Sequence, residues 1–145
     1  MIAKIGAYII AFIVMAGIEL PFIPIQLIIA PILKRVKWLA YILFPLLDAL
    51  KIFTSILLAT FFIEKMGQNP SLFMFFIPGL LLLRNDIKRI NFAKRGISNI
   101  KIMLEKNGEL YDQNFDVNVE HAHLLGDITG WLLGIMIFLN DATIF

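Results

Sequence analysis

The sequence predicts an all-α integral membrane protein with about four membrane segments and a small cytoplasmic insertion, and composition is the first reason. Hydrophobic residues fill 59% of the 145 positions and charged residues 17%, whereas soluble domains carry about 45–50% and about 25%. The mean hydropathy is +0.83. These values exclude a conventional soluble enzyme and also a disordered chain, which requires low hydrophobicity. The absence of cysteine excludes disulfides and thiolate chemistry.

The length of the apolar stretches is the second reason, because crossing a bilayer takes about 20 mostly apolar residues. Residues 1–83 contain most of these stretches, and residues 124–145 form a predicted C-terminal transmembrane helix. Prolines remove backbone hydrogen bonds, so Pro21, Pro24 and Pro31 predict that a first helix ends near residue 20. The segment after it is then re-entrant or kinked. The predicted segments of the first region are 5–20, 22–33, 38–63 and 70–83.

Basic residues set the expected orientation, since cytoplasmic segments carry an excess of Lys and Arg. If 22–33 turns back, eleven of the thirteen Lys and Arg residues fall on one side, Lys65 falls on the other, and Lys51 is embedded. We therefore expect a multi-pass protein of a bacterial inner membrane. Its N-terminus and residues 84–123 are expected in the cytoplasm.

The polar segment 84–123 predicts an amphipathic helix followed by a β-hairpin. Basic residues accompany an apolar helical periodicity in its first part, which favours contact with anionic lipid headgroups. Asn107-Gly108 is a preferred two-residue hairpin turn, and apolar and polar residues alternate from Tyr111 to Glu120. An isolated hairpin needs a covering surface, so its apolar face predicts a protein partner. That face consists of Ile100, Ile102, Leu104, Tyr111, Phe115 and Val117.

Four ionisable residues interrupt the predicted membrane segments: Glu19, Asp48, Lys51 and Asp127. Asp48 and Lys51 are three residues apart and can pair on one helix. Intramembrane charges mark ion or proton pathways, and mutual pairing that only stabilises the fold is the alternative. Two histidines add a weak metal hypothesis. The candidate ligands are Glu120, His121, His123 and Asp127, of which a strand would align the two histidines and a helix the other three.

Three glycines form a ridge on the last predicted helix, at Gly126, Gly130 and Gly134. Glycines at this spacing let a second helix approach closely in a membrane. The second helix belongs either to this chain or to a partner, and both alternatives stay open at this stage.

The function expected from these features is non-catalytic. No catalytic motif is present, and no cofactor is expected. We expect an accessory or structural subunit of a larger membrane complex, which binds other membrane subunits through helix packing and the hairpin. A homo-oligomer is an alternative assembly, and nucleic acid is not an expected partner. Two other functions stay open: a membrane-embedded immunity-type protein, and an ion- or proton-conducting subunit that uses Glu19, Asp48, Lys51 and Asp127.

Overall fold

The computed structural model describes residues 1–145, and every regular element in it is helical. A 3₁₀ turn at Lys34–Val36 separates the second helix from the third. The only β feature is an isolated bridge between Ser71 and Thr143. The all-α prediction is therefore confirmed. The six helices are α1 (Ile2–Gly17), α2 (Glu19–Leu33), α3 (Lys37–Lys65), α4 (Leu72–Lys94), α5 (Asn99–Lys106) and α6 (Gln113–Phe138).

The predicted β-hairpin is wrong, because residues 98–117 form α5, a loop and the start of α6. Asn107-Gly108 does form a turn, but Gly108, with φ of 74°, ends a helix there. The amide of Glu109 then donates to the carbonyl of Leu104, which is a common helix-ending bond. The alternation after Tyr111 misled the prediction because two of its polar residues, Asp116 and Glu120, are buried instead of facing solvent.

The residues of the predicted hairpin face are divided by this helical structure. Ile100, Leu104 and Phe115 are buried together at one end of the bundle, and Tyr111 packs against them. Val117 is half-buried, and Ile102 is 60% exposed. Most residues of the face that was expected to bind a partner therefore pack against other parts of the same chain.

The expectation of about four membrane segments is also wrong. Two helical runs, Ile2–Lys65 and Gln113–Phe138, are long and apolar enough to cross a membrane. The first run joins three predicted segments, because Pro24, Pro31 and Pro45 lie inside helices and do not end them. The second half of α4 is rich in charge, which sets that helix apart from both runs. Its charged residues are Arg84, Asp86, Lys88, Arg89 and Lys94.

The segment 22–33 does not turn back. It lies within α2, which follows α1 after a single residue, Ile18, that itself keeps helical backbone angles. Pro21 lies in the first turn of α2, where its missing N–H has no helical partner to lose. Because α1 packs on the second half of α3 and α2 on its first half, the two helices run along α3 in one direction.

The two ends of the bundle differ in composition. At one end, hereafter the turn end, Gly6 lies against Met66, which follows α3. At the other, the basic end, the 3₁₀ turn meets the α5–α6 loop through an Arg35–Glu109 ion pair of 2.9 Å. The N-terminus and most of residues 84–123 therefore lie at opposite ends of the bundle.

Two apolar clusters fill the ends and leave a polar middle. The turn-end cluster joins α1, the second half of α3, the start of α4 and the residues at the end of α6, with Ile52, Ile56 and Phe75 fully buried. The basic-end cluster joins α2, α5 and the first halves of α3 and α6, with Phe44 and Phe115 at its centre. Most of the chain's buried charged side chains lie between these clusters.

The glycine ridge brings α6 directly onto α3. A Cβ atom at Gly126 would lie 2.5 Å from the carbonyl oxygen of Pro45, and one at Gly130 would lie 2.5 Å from that of Ala49. At Gly134 it would lie 2.6 Å from Cδ1 of Ile56. The second helix left open by the sequence is therefore α3 of the same chain.

Candidate functional site

Lys51 is the centre of the polar middle and lies halfway along α3. Its Nζ atom is 2.8 Å from Oε1 of Glu19, 3.1 Å from Oδ1 of Asp48 and 3.6 Å from Oδ1 of Asp127. The lysine is 3% exposed and Asp48 is 1% exposed. The structure thus brings together all four intramembrane charges named from the sequence, one from α2, two from α3 and one from α6.

Asp48 has two further partners, which the sequence analysis did not connect with it. The side-chain amide of Gln26 donates to Asp48 Oδ1 at 2.6 Å, and Nδ1 of His123 hydrogen-bonds Oδ2. The His123 ring also packs against Phe44, with ring centroids 4.8 Å apart. With Lys51, these contacts satisfy both oxygens of the aspartate, as a buried carboxylate requires.

A second branch runs from Asp127 to Arg89. The carboxyl groups of Asp127 and Asp86 are within hydrogen-bonding reach of each other. Asp86 lies 3.9 Å from Arg89, which also pairs with Glu120 at 3.0 Å. We call the connected group the ionic network, and its members are Glu19, Gln26, Asp48, Lys51, Asp86, Arg89, Glu120, His123 and Asp127.

The ionic network holds more acidic than basic groups. Five carboxyl groups face two permanent cations, Lys51 and Arg89. Four carboxyl oxygens of the network accept no hydrogen bond from the chain. Those of Glu19 and Glu120 lie 2.8 Å and 3.0 Å from a cation, whereas Oδ2 of Asp86 and Oδ1 of Asp127 have no cation that close. Because an uncompensated buried charge is strongly unfavourable, the excess carboxylates need protons or bound cations. The arrangement is chemically suited to exchanging either one.

Two cavities reach the ionic network from different sides. The polar cavity, of about 390 Å³, separates α2 from α4 and is lined by Glu19, Gln26, Glu120 and His123 among others. The α4–α6 groove, of about 220 Å³, is lined mainly by apolar side chains and by Asp127. Asp86 lines both spaces. That aspartate is therefore the one member of the ionic network that lines both spaces.

The proposed metal ligands do not converge. Glu120, His123 and Asp127 share the buried face of α6, as the helical alternative predicted, but they have different partners in the network. His121 is exposed, and its Nδ1 lies 2.8 Å from the carbonyl oxygen of Val117. No group of three or more potential ligands is close enough to hold a metal ion.

A separate polar cluster lies beside the network, next to α5. The hydroxyl of Tyr111 donates to Asp116 Oδ2 at 2.7 Å, and the hydroxyl of Ser98 donates to the same oxygen. Burial and the neighbouring Asp116 carboxylate raise the pKa of Tyr111 above its ordinary value. These contacts connect the loop before α5 to the first turns of α6, close to the polar cavity.

The basic end is held by exposed ion pairs. Lys37 lies 2.5 Å from Asp112, and Lys34 donates to the carbonyl of Leu110. Asp112 also caps α6 by accepting a hydrogen bond from the amide of Phe115 at 3.1 Å. The hydrogen bond from Lys37, together with this backbone bond, lowers the pKa of Asp112.

Sequence reasoning missed Gln26, Asp86 and Arg89 as parts of this site, because the last two were assigned to a cytoplasmic insertion. The sequence did contain one signal for a buried polar face on α6. Asp116, Glu120, His123 and Asp127 recur at steps of four, three and four residues, which places them on one face of a helix. That polar stripe continues into the glycine ridge, so one face of α6 carries both features.

Comparison with known proteins finds no matching family model, no matching curated protein and no matching solved structure.

Proposed function

We propose that this chain is an integral membrane protein that conducts protons through the ionic network. One observation carries the proposal: Glu19, Asp48 and Asp127 converge on Lys51 in a buried site that holds more carboxyl groups than cations. Ionisable groups at membrane depth are rare and mark ion or proton pathways. This is the ion- or proton-conducting function that the sequence left open.

The surface of the bundle supports the membrane part of the proposal. Only 11% of the most apolar stretch of the Ile2–Lys65 run is buried inside the bundle. Leu46, Leu50 and Met136 are among the many large apolar side chains that are more than half exposed. Such an extensive apolar surface requires a cover, and lipid provides it for both long runs.

The distribution of basic residues supports an orientation. Lys34, Arg35 and Lys37 lie at the basic end, close to the α5–α6 loop, whereas Lys4 and Lys65 lie towards the turn end. The excess of positive charge on cytoplasmic segments then puts the basic end in the cytoplasm. The N-terminus is on the other side in this orientation.

The proposed route leads from the polar cavity to the α4–α6 groove. Protons enter from the polar cavity at Glu120 and His123, reach Asp86, and leave through Asp127. The turn-end cluster consists of fully buried apolar side chains, so it offers no proton carriers along the bundle axis. Asp86 is the step that both spaces share.

Proton flux into liposomes tests this function. The purified protein is reconstituted with a pH-sensitive dye inside the vesicles, and a potassium diffusion potential drives protons inward. We expect flux for the unmodified chain and a fall to the rate of protein-free vesicles for Asp86→Asn and Asp127→Asn. Asp141→Asn, at an exposed carboxylate after α6, is the matched control and should conduct normally.

Folded yield and circular dichroism establish that the two asparagine variants are intact. Infrared spectroscopy adds a measurement on the resting protein, which should show a protonated carboxyl band that Asp86→Asn and Asp127→Asn reduce. Equal flux in all variants, or no flux above empty vesicles in the unmodified chain, would contradict the proposal.

The other expected functions have less support. The accessory-subunit hypothesis rested on a hairpin and on a glycine ridge available to a partner. The chain forms no hairpin, and α3 covers the ridge. That hypothesis, the immunity-type alternative and the absence of enzyme activity all stay predictions.

A further inference from the structure

The α4–α6 groove has one polar and several apolar surfaces. Asp86 and Asp127 supply its acidic side chains, and the indole of Trp131 forms an aromatic wall. The remaining lining residues carry no polar side chain: Gly79, Leu80, Leu82, Leu83 and Ile128. A groove with apolar walls and a few convergent polar groups is the usual form of a small-molecule site.

The two aspartates on the acidic side of the groove are buried, and each has a carboxyl oxygen that lacks a hydrogen-bond donor. Asp86 is 3% exposed and Asp127 is 6% exposed, yet Oδ2 of the first and Oδ1 of the second accept no hydrogen bond from the chain. Lys51 is 3.6 Å from Asp127 and is shared with Glu19 and Asp48. A positive charge entering the groove would therefore meet a pair of carboxyl groups that receive no hydrogen bond at Oδ2 of Asp86 or Oδ1 of Asp127 from any other donor of the chain.

The aromatic wall is held in place by contacts on both sides. Nε1 of Trp131 donates to the carbonyl of Phe75 at 3.0 Å, and Phe76 packs edge-on against the indole with centroids 5.2 Å apart. Gly79 makes room for the ring, since a Cβ atom there would lie 2.5 Å from Nε1. A fixed indole face attracts organic cations through its π electrons.

We propose that the α4–α6 groove binds a small apolar ammonium ion, with the charge at Asp86 and Asp127 and the apolar part against Trp131 and the leucines. In the empty groove, the two carboxyl groups share one proton. When the ammonium ion binds, that proton leaves to solvent and the cation takes its place, so charge is conserved in the groove. The inference rests on the proposed proton function, since the same carboxyl pair serves both.

The geometry favours this ligand over a metal ion. A hard metal ion needs several oxygen ligands around it, and the groove offers two carboxyl groups facing apolar walls. An ammonium ion with apolar substituents satisfies both surfaces at once. Leu80, 63% exposed, and Ile128, 39% exposed, line the groove towards the outside of the bundle.

Tryptophan fluorescence provides a direct binding assay. The chain contains two tryptophans, and Trp38 is 65% exposed near the basic end, so Trp38→Phe leaves Trp131 as the single reporter. Detergent-solubilised Trp38→Phe protein is titrated with benzyltrimethylammonium. Neopentylbenzene, which has a neutral carbon in place of the nitrogen, is the control for partition into the micelle.

We expect saturable quenching by benzyltrimethylammonium and none that saturates with neopentylbenzene. Asp86→Asn and Asp127→Asn, each in the Trp38→Phe background, should weaken binding by at least tenfold, which is about 1.4 kcal/mol. In the protein with both aspartates, the affinity should fall as the pH is lowered, because protons compete for the same oxygens. That pH series decides the question even if an asparagine variant fails to fold.

The two proposals fail in different ways. A protonated carboxyl band without saturable ammonium binding would overturn the ligand inference and leave proton conduction intact. Equal quenching by the neutral analogue, or binding that neither aspartate variant nor pH changes, would overturn it too. Saturable, aspartate-dependent binding by a protein that conducts no protons would support the groove as a ligand site and reject proton conduction through the ionic network.

Discussion

The turn-end cluster and the ionic network share α3, α4 and α6, but different forces hold them together. In the turn-end cluster Ile52, Ile56 and Phe75 are fully buried against other apolar side chains, and volume decides whether they fit. In the ionic network each charge needs a particular partner, as Lys51 needs its three carboxylates. Substitutions that change side-chain volume should therefore affect the turn-end cluster most, and substitutions that remove a charge should affect the ionic network most.

The largest effect is expected from Lys51→Met, which keeps the length of the side chain and removes its charge. Glu19, Asp48 and Asp127 would then lie close together without their cation. Breaking a buried ion pair on one side costs about 3–5 kcal/mol, which is a large part of a typical folding free energy of about 5–15 kcal/mol. Thermal unfolding in detergent measures the loss.

The control for this change is Lys65→Met, at the exposed last residue of α3. We expect that variant to unfold close to the unmodified chain. If Lys51→Met unfolds at the same temperature as Lys65→Met, the network does not contribute to the fold through charge pairing, and the contrast with the turn-end cluster is lost.

The second prediction concerns the close approach of α3 and α6, which lets both regions form. In Gly130→Ala the added Cβ would lie 2.5 Å from the oxygen and 2.8 Å from the Cα atom of Ala49. Backbone atoms cannot rotate away, so we expect a loss of about 1–3 kcal/mol. Gly17→Ala is the control, because nothing lies within 4 Å of its Cβ position; a similar loss in both variants would rule out helix contact as the cause.

A smaller effect is expected where the glycine faces a flexible side chain. Gly134→Ala meets Cδ1 of Ile56 at 2.6 Å, and Ile56→Val removes that atom at a cost of about 0.5–1.5 kcal/mol. The double variant should therefore be more stable than the sum of the two single changes predicts. Strict additivity in a double-mutant cycle would show that the two residues do not share this space.

The smallest effect belongs to the exposed basic end, through Asp112→Asn. Because the pKa of Asp112 is lowered in the folded chain, its charge stabilises the fold at neutral pH. That contribution is lost as the pH falls below the ordinary aspartate value of 3.8. Asparagine can still cap α6, so the variant should be slightly less stable at pH 7, and the difference should shrink as the pH falls through the lowered pKa of Asp112; a difference that stays constant on acidification would argue against the Lys37 pair.

The sequence predicted the elements that depend on local pattern. The segment 38–63 matches α3, Lys37–Lys65, because a long apolar run with a single charged pair leaves few alternatives. It also identified Glu19, Asp48, Lys51 and Asp127 as one candidate set, since charges in apolar segments stand out. Their actual convergence depends on α2 running in the same direction as α1. The sequence analysis did not predict that direction, because it interpreted the prolines as the end of a helix.

The failures share one physical cause. Asp116 and Glu120 were interpreted as solvent-facing because polar residues usually are, yet both are buried, and their pattern then resembled a strand. Arg89 and Asp86 looked like part of a cytoplasmic segment for the same reason. Their partners lie on α6, and no local pattern in a single sequence specifies pairing between positions so far apart.

The hydrogen bonds at the start of α4 set an order of events during synthesis. The amides of Leu72 and Phe73 belong to the first turn of α4, where N–H groups have no acceptor within the helix. They donate instead to the carbonyls of Thr143 and Ile144, at 2.9 Å each. Those carbonyls leave the ribosome only after all of α6 has been made. The first turn of α4 is therefore completed by residues translated after α6, and a ribosome stalled within α6 would hold a bundle whose turn end is still open.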